Sequence, residues 1–333
     1  MQEYLKILGN VLPLFLLMGV GAIVRRRGVL NEQADRTLLD LTVHLLLPSL
    51  ILDHVIANQA LRQWGNLLWS PLLGYLLTAL CLGLAALAAR QARFAHLSER
   101  RTFAFVAGIC NYGYIPVPLI DVLYGPGALG VLFLFNLGTE LAFWTIGFAT
   151  FQGHALFSDW RRVLTTPVRA ILLGVSINLL TAWIGVRLDA DTLAAASWGW
   201  PVMILLSVVH YIGQCSIPLA LLLIGATMAD FWGQFRATAR HGVGVMALAF
   251  LVRNALCPLG FVLLAWLLPV SLELKETLVV QAAMPAGVFT LVLSRHHGGS
   301  VPVALQVIFS TSVAAIITLP LWIHFGMQLI GVK

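Results

Sequence analysis

The stretch Gly108-Ile-Cys-Asn-Tyr-Gly-Tyr-Ile-Pro-Val-Pro118 decides how this chain is read. It lies inside an apolar run from Phe103 to Tyr124, and a helix crossing a bilayer needs about 20 such residues. Yet an amide, a glycine and two prolines interrupt the run. Each proline lacks an N–H and crowds the carbonyl four residues earlier, so the helix is expected to open between Asn111 and Pro118. Open backbone at membrane depth is tolerated only where protein buries it or a wet cavity receives it.

Composition agrees with a membrane reading. The chain is 59% hydrophobic and 10% charged, against about 25% charged residues in soluble domains. The expected class is an all-α polytopic membrane protein. The net charge of +6 comes from basic residues in short runs between apolar segments, which reads as topology and not as a nucleic-acid surface. Cys81, Cys110, Cys215 and Cys257 stand singly in apolar stretches, so they read as small core residues and not as disulfides or metal ligands. The first apolar run ends at Arg25-Arg26-Arg27, with its charge after the apolar core. It is expected to be a retained span and not a cleaved signal.

Ten spans follow, near residues 5–24, 36–57, 65–89, 102–124, 127–151, 168–186, 200–231, 241–268, 276–294 and 302–329. The seventh window is too long for one upright helix; it reads as a helix kinked near Gly213 and Pro218, or as an interfacial piece leading into a span. Counting Lys and Arg in the loops gives 14 on the odd-numbered side, from Arg25 to Arg295 and including Arg161 and Arg162. The other side has 5: Lys6, Arg62, Arg187, Lys275 and Lys333. That asymmetry places the odd loops in the cytoplasm and both termini outside.

A weak internal repeat of five spans emerges, with halves at residues 1–160 and 161–333. Leu45-Leu-Leu-Pro-Ser-Leu-Ile-Leu52 matches Cys215-Ser-Ile-Pro-Leu-Ala-Leu-Leu222, and Pro48 matches Pro218. The broken span four has a counterpart in span nine, Gln281-Ala-Ala-Met-Pro-Ala-Gly287. An odd repeat unit must be inverted in its second copy. Interrupted helices at matching positions of inverted repeats are the pattern of secondary transporters.

These residues, with Phe135-Asn-Leu-Gly-Thr-Glu-Leu-Ala-Phe-Trp-Thr145, Ser310-Thr311-Ser312 and Thr318-Leu-Pro320, resemble the auxin efflux carrier family over essentially the whole chain. Its bacterial members include malonate and malate permeases. The resemblance implies a ten-helix fold similar to bile-acid symporters and sodium–proton antiporters. In that fold spans one, two, six and seven form a scaffold, and the other six a crossover domain in which helices four and nine cross at their breaks. Asn111, Pro116 and Pro285 are the matching crossover positions, with Pro118 a second candidate. The central loop near Gln152 to Pro167 is short, unlike that of the plant exporters, which argues against auxin as the substrate.

The residues offer their own chemistry. The second half of each broken helix presents free N–H groups and a positive dipole end, a site suited to an anion. Asn111, with Tyr112 and Gly113 beside it, is a candidate ligand contact or else a cap for its own helix. Gln281, four residues before Pro285, reads as a substrate contact or a cap for the span-nine break. Arg253 lies within span eight and cannot shed its charge, so it needs a carboxylate. The candidates are Glu140, Asp121 or a substrate. Asn136, Glu140 and Trp144 share one face of span five, and Glu140 is the first candidate for carrying a proton with the substrate. Asp121, and the Asp40–His44 pair on span two, are further candidates for proton or ion coupling. His210 and Gln214 are expected to line the scaffold side of a cavity. Arg295-His296-His297 reads as a solvated turn.

The expected function is alternating-access transport of a small mono- or dicarboxylate across a bacterial inner membrane, driven by protons or by simple uniport. Sodium-coupled symport is the alternative; no adjacent carboxylates occur inside a span to favour antiport. An enzyme is not expected, because no Gly-x-Ser-x-Gly or metal-spaced histidine pair occurs. No cofactor or metal is expected, and the scaffold spans offer a surface for a homodimer.

Overall fold

The computed structural model describes residues 2–153, 163–188, 192, 193, 196 and 199–331. The described residues are helical apart from short connections, and the one β-type pairing among them is a single bridge at the centre of the molecule. Arg161, Arg162 and Lys333, which entered the loop charge count, lie outside the described residues.

The chain opens with α1 (Gln2–Arg26), then α2 (Glu32–Leu41) and α3 (Leu47–Val55) joined by a wider π-helical turn over Thr42–Leu46. Next come α4 (Trp64–Gln91), α5 (Leu97–Gly108), α6 (Pro116–Tyr124), α7 (Pro126–Ala142) and α8 (Phe148–Gln152). The second half contains α9 (Thr166–Trp183), α10 (Gly199–Gln214), α11 (Ser216–Ala239), α12 (Val243–Ala249) and α13 (Cys257–Leu267). It ends with α14 (Leu272–Ala282), α15 (Phe289–His296) and α16 (Val301–Ile330).

Among the described residues eight helical stretches are long and apolar enough to cross a membrane: Gln2–Arg26, Gln33–Val55, Trp64–Gln91, Pro126–Gln152, Thr166–Trp183, Gly199–Ala239, Val243–Leu267 and Val301–Ile330. They coincide with eight of the ten expected spans. The remaining two expected spans are the ones read as broken, and both are: α5 stops at Gly108 before α6 begins, and α14 stops at Ala282 before α15 begins. The chain is a polytopic membrane protein. Rows of exposed leucines along α1 and α4, such as Leu5, Leu12, Leu16, Leu68, Leu72 and Leu76, fit contact with lipid tails. Exposed Trp64, Trp183, Trp200 and Trp266 stand at helix ends, where amphipathic rings favour a bilayer interface.

The long seventh window divides at Cys215, between the two residues expected to kink it. Pro218 sits in the first turn of α11, where no helical partner is required of its nitrogen. Gly213 lets α10 lie against α3, since a Cβ there would come within 2.8 Å of the Leu50 Cα.

Two groups of helices organise the interior. α1 packs along α11, and α3 sits between α9 and α10. α4 packs along α7 and α5, and α14 is held between α7, α13 and α16. Close backbone approach makes both groups tight. A side chain at Gly138 would strike the Pro71 carbonyl, and one at Gly225 the Met18 carbonyl, the small-residue packing expected where lipid gives no hydrophobic drive between helices.

Candidate functional site

Both breaks meet at the centre. Cys110 and Ala286 form an antiparallel bridge: Asn111 N–H donates to the Pro285 carbonyl at 2.8 Å, and Gly287 N–H donates to the Ile109 carbonyl at 3.0 Å. The backbone polar groups freed by each break are therefore satisfied by the other. A Cβ on Gly287 would stand 2.9 Å from the Cys110 carbonyl oxygen, so the close approach depends on glycine. From the far side, the Thr311 hydroxyl accepts from Ala286 N–H at 3.2 Å.

Side chains reinforce the crossing. The Tyr112 carbonyl accepts from Asn136 Nδ2 at 2.9 Å and from Gln281 Nε2 at 3.1 Å, and Gln281 Nε2 also reaches Asn136 Oδ1 at 2.8 Å. Gln281 is fully buried. It does not cap its own helix; it straps the span-nine half-helix to the open backbone of span four. The Tyr112 hydroxyl donates to Glu140, which also accepts from Trp144 Nε1 at 3.1 Å and from the Thr165 hydroxyl at 3.3 Å. The shared face of Asn136, Glu140 and Trp144 is observed, and it faces the break. Asn111 is buried, and its side chain makes no hydrogen bond among the described residues, so it caps nothing.

Arg253 lies in a π-helical turn over Phe250–Leu256 and is 1% exposed. Neither expected protein partner reaches it: Glu140 is engaged by Tyr112, Trp144 and Thr165, and Asp121 is exposed on α6. Among the described residues its Nε and Nη2 have no hydrogen-bond partner. Its ionisable neighbours are the thiols of Cys81, Cys110 and Cys257. The cysteines are buried as expected, apart from exposed Cys215, but the convergence of three of them on one guanidinium was not legible. Cys257 follows Arg253 by four residues in the same helical stretch, a spacing the sequence does show. Cys81 comes from α4 and Cys110 from the span-four break, and no spacing announces those two.

A cavity of about 270 Å³ opens where α6 and α7 face α1, α3, α10 and α11. Val117, Pro118 and Asp121 line it from the broken helix, and Leu50, His54, Gln214 and Pro218 from the opposite wall. The α6 N-terminus, with Pro116 at its first position, begins beside this cavity.

A family model described as membrane transport protein matches residues 6–156 and 154–323, nearly the whole chain. This is the auxin efflux carrier family. The chain belongs to it. An uncharacterized transporter of Methanothermobacter thermautotrophicus is 25% identical over 318 residues, covering 94% of this chain and 96% of that protein. An uncharacterized transporter of Methanocaldococcus jannaschii is 21% identical over 324 residues, at the same coverages.

The carrier's remaining candidates are scattered. Pro118, Asp121 and Gln214 share the cavity wall, whereas Asn111, Pro116, Pro285 and Gln281 belong to the crossing behind it. Gly113 has open space around it. Asp40 and His44 do not meet: His44 Nδ1 pairs with the Thr166 hydroxyl at 2.9 Å. The π-helical turn that begins at Thr42 shifts the register between them, so four-residue spacing no longer means one face. His210 pairs with Asp53 at 2.9 Å, and neither Asp53 nor the cavity residue His54 was singled out from sequence. Arg295 lies over the Phe231 ring and His297 edges against Phe148.

Proposed function

We propose that this carrier is a secondary transporter of a small mono- or dicarboxylate, working by alternating access between the two helix groups. In this reading the ten spans form two inverted five-helix repeats, both termini lie outside the cytoplasm, and the protein resides in a bacterial inner membrane. The two helix breaks at matching positions, Ile109–Ile115 and Ala283–Val288, support the repeat. The group containing α1, α3, α9, α10 and α11 is the scaffold, and the group around the crossing moves against it.

The observation that carries the anion is Arg253. A guanidinium 1% exposed and without a carboxylate partner among the described residues leaves positive charge beside the crossing. The N-terminal ends of α6 and α15 add partial positive charge at the same breaks. Arg253 does not line the cavity, so it attracts the substrate through its field across a poorly screened interior and not by direct contact. The same charge opposes a sodium ion at the crossing, which favours proton coupling or uniport over sodium symport. Glu140 is the proton carrier of this scheme, because its carboxylate holds Tyr112 of the break.

The test is Arg253→Met in proteoliposomes with labelled monocarboxylates and dicarboxylates. Uptake is expected to fall about tenfold or more, since 1.4 kcal/mol of lost attraction is a factor of ten. Thermal stability is expected to hold or rise, because an apolar side chain of similar length removes the cost of burying a charge without a carboxylate beside it. Full uptake by the variant refutes the electrostatic role, and a large loss of stability marks Arg253 as structural.

A further inference from the structure

The arginine-rich end of the molecule holds a second cavity, about 440 Å³, that the transport scheme does not use. It is walled by the end of α4 (Ala86, Ala89, Arg90), the start of α5 (Leu97, Arg100, Arg101, Ala104) and α8 with the residue after it (Ala149, Thr150, Gly153). All these residues belong to the crossover group, so the cavity is not on a path between the two groups. We infer that it binds the phosphate headgroup of an anionic membrane lipid.

Charge, shape and location support this occupant. Three arginines, Arg90, Arg100 and Arg101, line one space, and guanidinium offers forked donors that match phosphate oxygens. Among the described residues none of the three forms an ion pair. The neighbouring carboxylate, Glu99, is committed to the N–H groups of Ala95 and His96 at the start of α5. Arg101 is placed by the chain itself: its Nη1 donates to the Gln152 carbonyl at 3.4 Å, and Gly153 is left-handed at φ 79°. A Cβ on Gly153 would collide with the Arg101 guanidinium. The floor, in contrast, is alanine, with Leu97 exposed at the rim. Arginines beside alanines at the ends of two membrane-spanning stretches and the start of α5 suit a ligand with a phosphate head and an acyl tail better than free phosphate. Basic pockets between membrane helices at the cytoplasmic leaflet take such headgroups.

The experiment measures thermal unfolding of the purified full-length chain in detergent, with phosphatidylglycerol, phosphatidylcholine or inorganic phosphate added. A ligand of the folded state raises the midpoint. Phosphatidylglycerol is expected to raise it above the phosphatidylcholine value, and Arg100→Gln/Arg101→Gln to remove most of that difference. Arg90→Gln, at an exposed position where folding is not at stake, is expected to reduce it in part. Arg26→Gln/Arg27→Gln, basic residues outside the cavity, are expected to leave it intact. The inference is overturned if wild type shows no phosphatidylglycerol-specific shift, if the cavity variants keep it, or if the Arg26/Arg27 control loses as much. An equal shift with inorganic phosphate overturns the lipid as occupant. None of these readouts depends on transport, so failure here leaves the carboxylate reading standing.

Discussion

The two breaks meet in one bridge but are built differently. The span-nine break, Ala283 to Val288, is buried throughout, and its residues are apolar or glycine. The span-four break, Ile109 to Ile115, carries Asn111, Tyr112 and Tyr114, and its residues 112–114 are only partly buried. Span nine also sends Gln281 across to hold the Tyr112 carbonyl, whereas Tyr112 sends its hydroxyl onward to Glu140. The difference separates a buried, apolar break in span nine from a polar, partly exposed one in span four, and under the proposed transport scheme the first is the support and the second meets the ligand.

The largest effect that tests this division is at glycine. Gly287→Val drives a branched side chain into the Cys110 carbonyl and is expected to cost about 1–3 kcal/mol or more, as overpacking does. Gly113→Ala enters open space and is expected to stay within about 0.5 kcal/mol. Equal melting temperatures for the two variants would remove the distinction between support and site. Next in size is Gln281→Leu. It takes one donor from Tyr112 and leaves the buried Asn136 Oδ1 without its partner, a loss of about 1–3 kcal/mol. A chemical denaturation series on the purified protein reads it directly. The smallest change in stability is expected from Asn111→Ala, whose side chain bonds nothing among the described residues; the shift should stay within about 0.5 kcal/mol while carboxylate uptake collapses. An Asn111→Ala protein that transports normally would leave span four as inert as span nine.

Much of this was legible because prolines act locally. Pro116 and Pro118 fall in the first turn of α6, just past a break that spans Ile109 to Ile115, and Pro285 falls inside the second break. Apolar runs marked the eight long helical stretches found among the described residues. The crossing itself was reached through family resemblance, since nothing in residues 108–118 encodes a hydrogen bond to a residue some 170 positions away. Arg253 was visible as costly, yet the absence of a carboxylate around it among the described residues depends on how four helices pack. Of its three thiol neighbours, Cys257 stands four residues on in the same helical stretch, whereas Cys81 and Cys110 have no pattern in the chain. The Asp40–His44 pairing failed for a different reason: four-residue spacing assumes 3.6 residues per turn, and a π-helical turn between Thr42 and Leu46 widens the helix there. Gln281, read as a substrate contact or a cap of its own break, instead bonds across to the Tyr112 carbonyl and Asn136, because a cap and a cross-strap look alike in one dimension.

The bridge between Cys110 and Ala286 has a mechanical consequence. Two backbone hydrogen bonds in opposite directions resist sliding along either strand, so the four half-helices that end there are riveted into one part. A rotation of that part carries both breaks together, and the separation of residues 110 and 286 is the ruler that stays constant. The distance from Pro118 to Pro218, across the 270 Å³ cavity, is the one that must change if the machine turns.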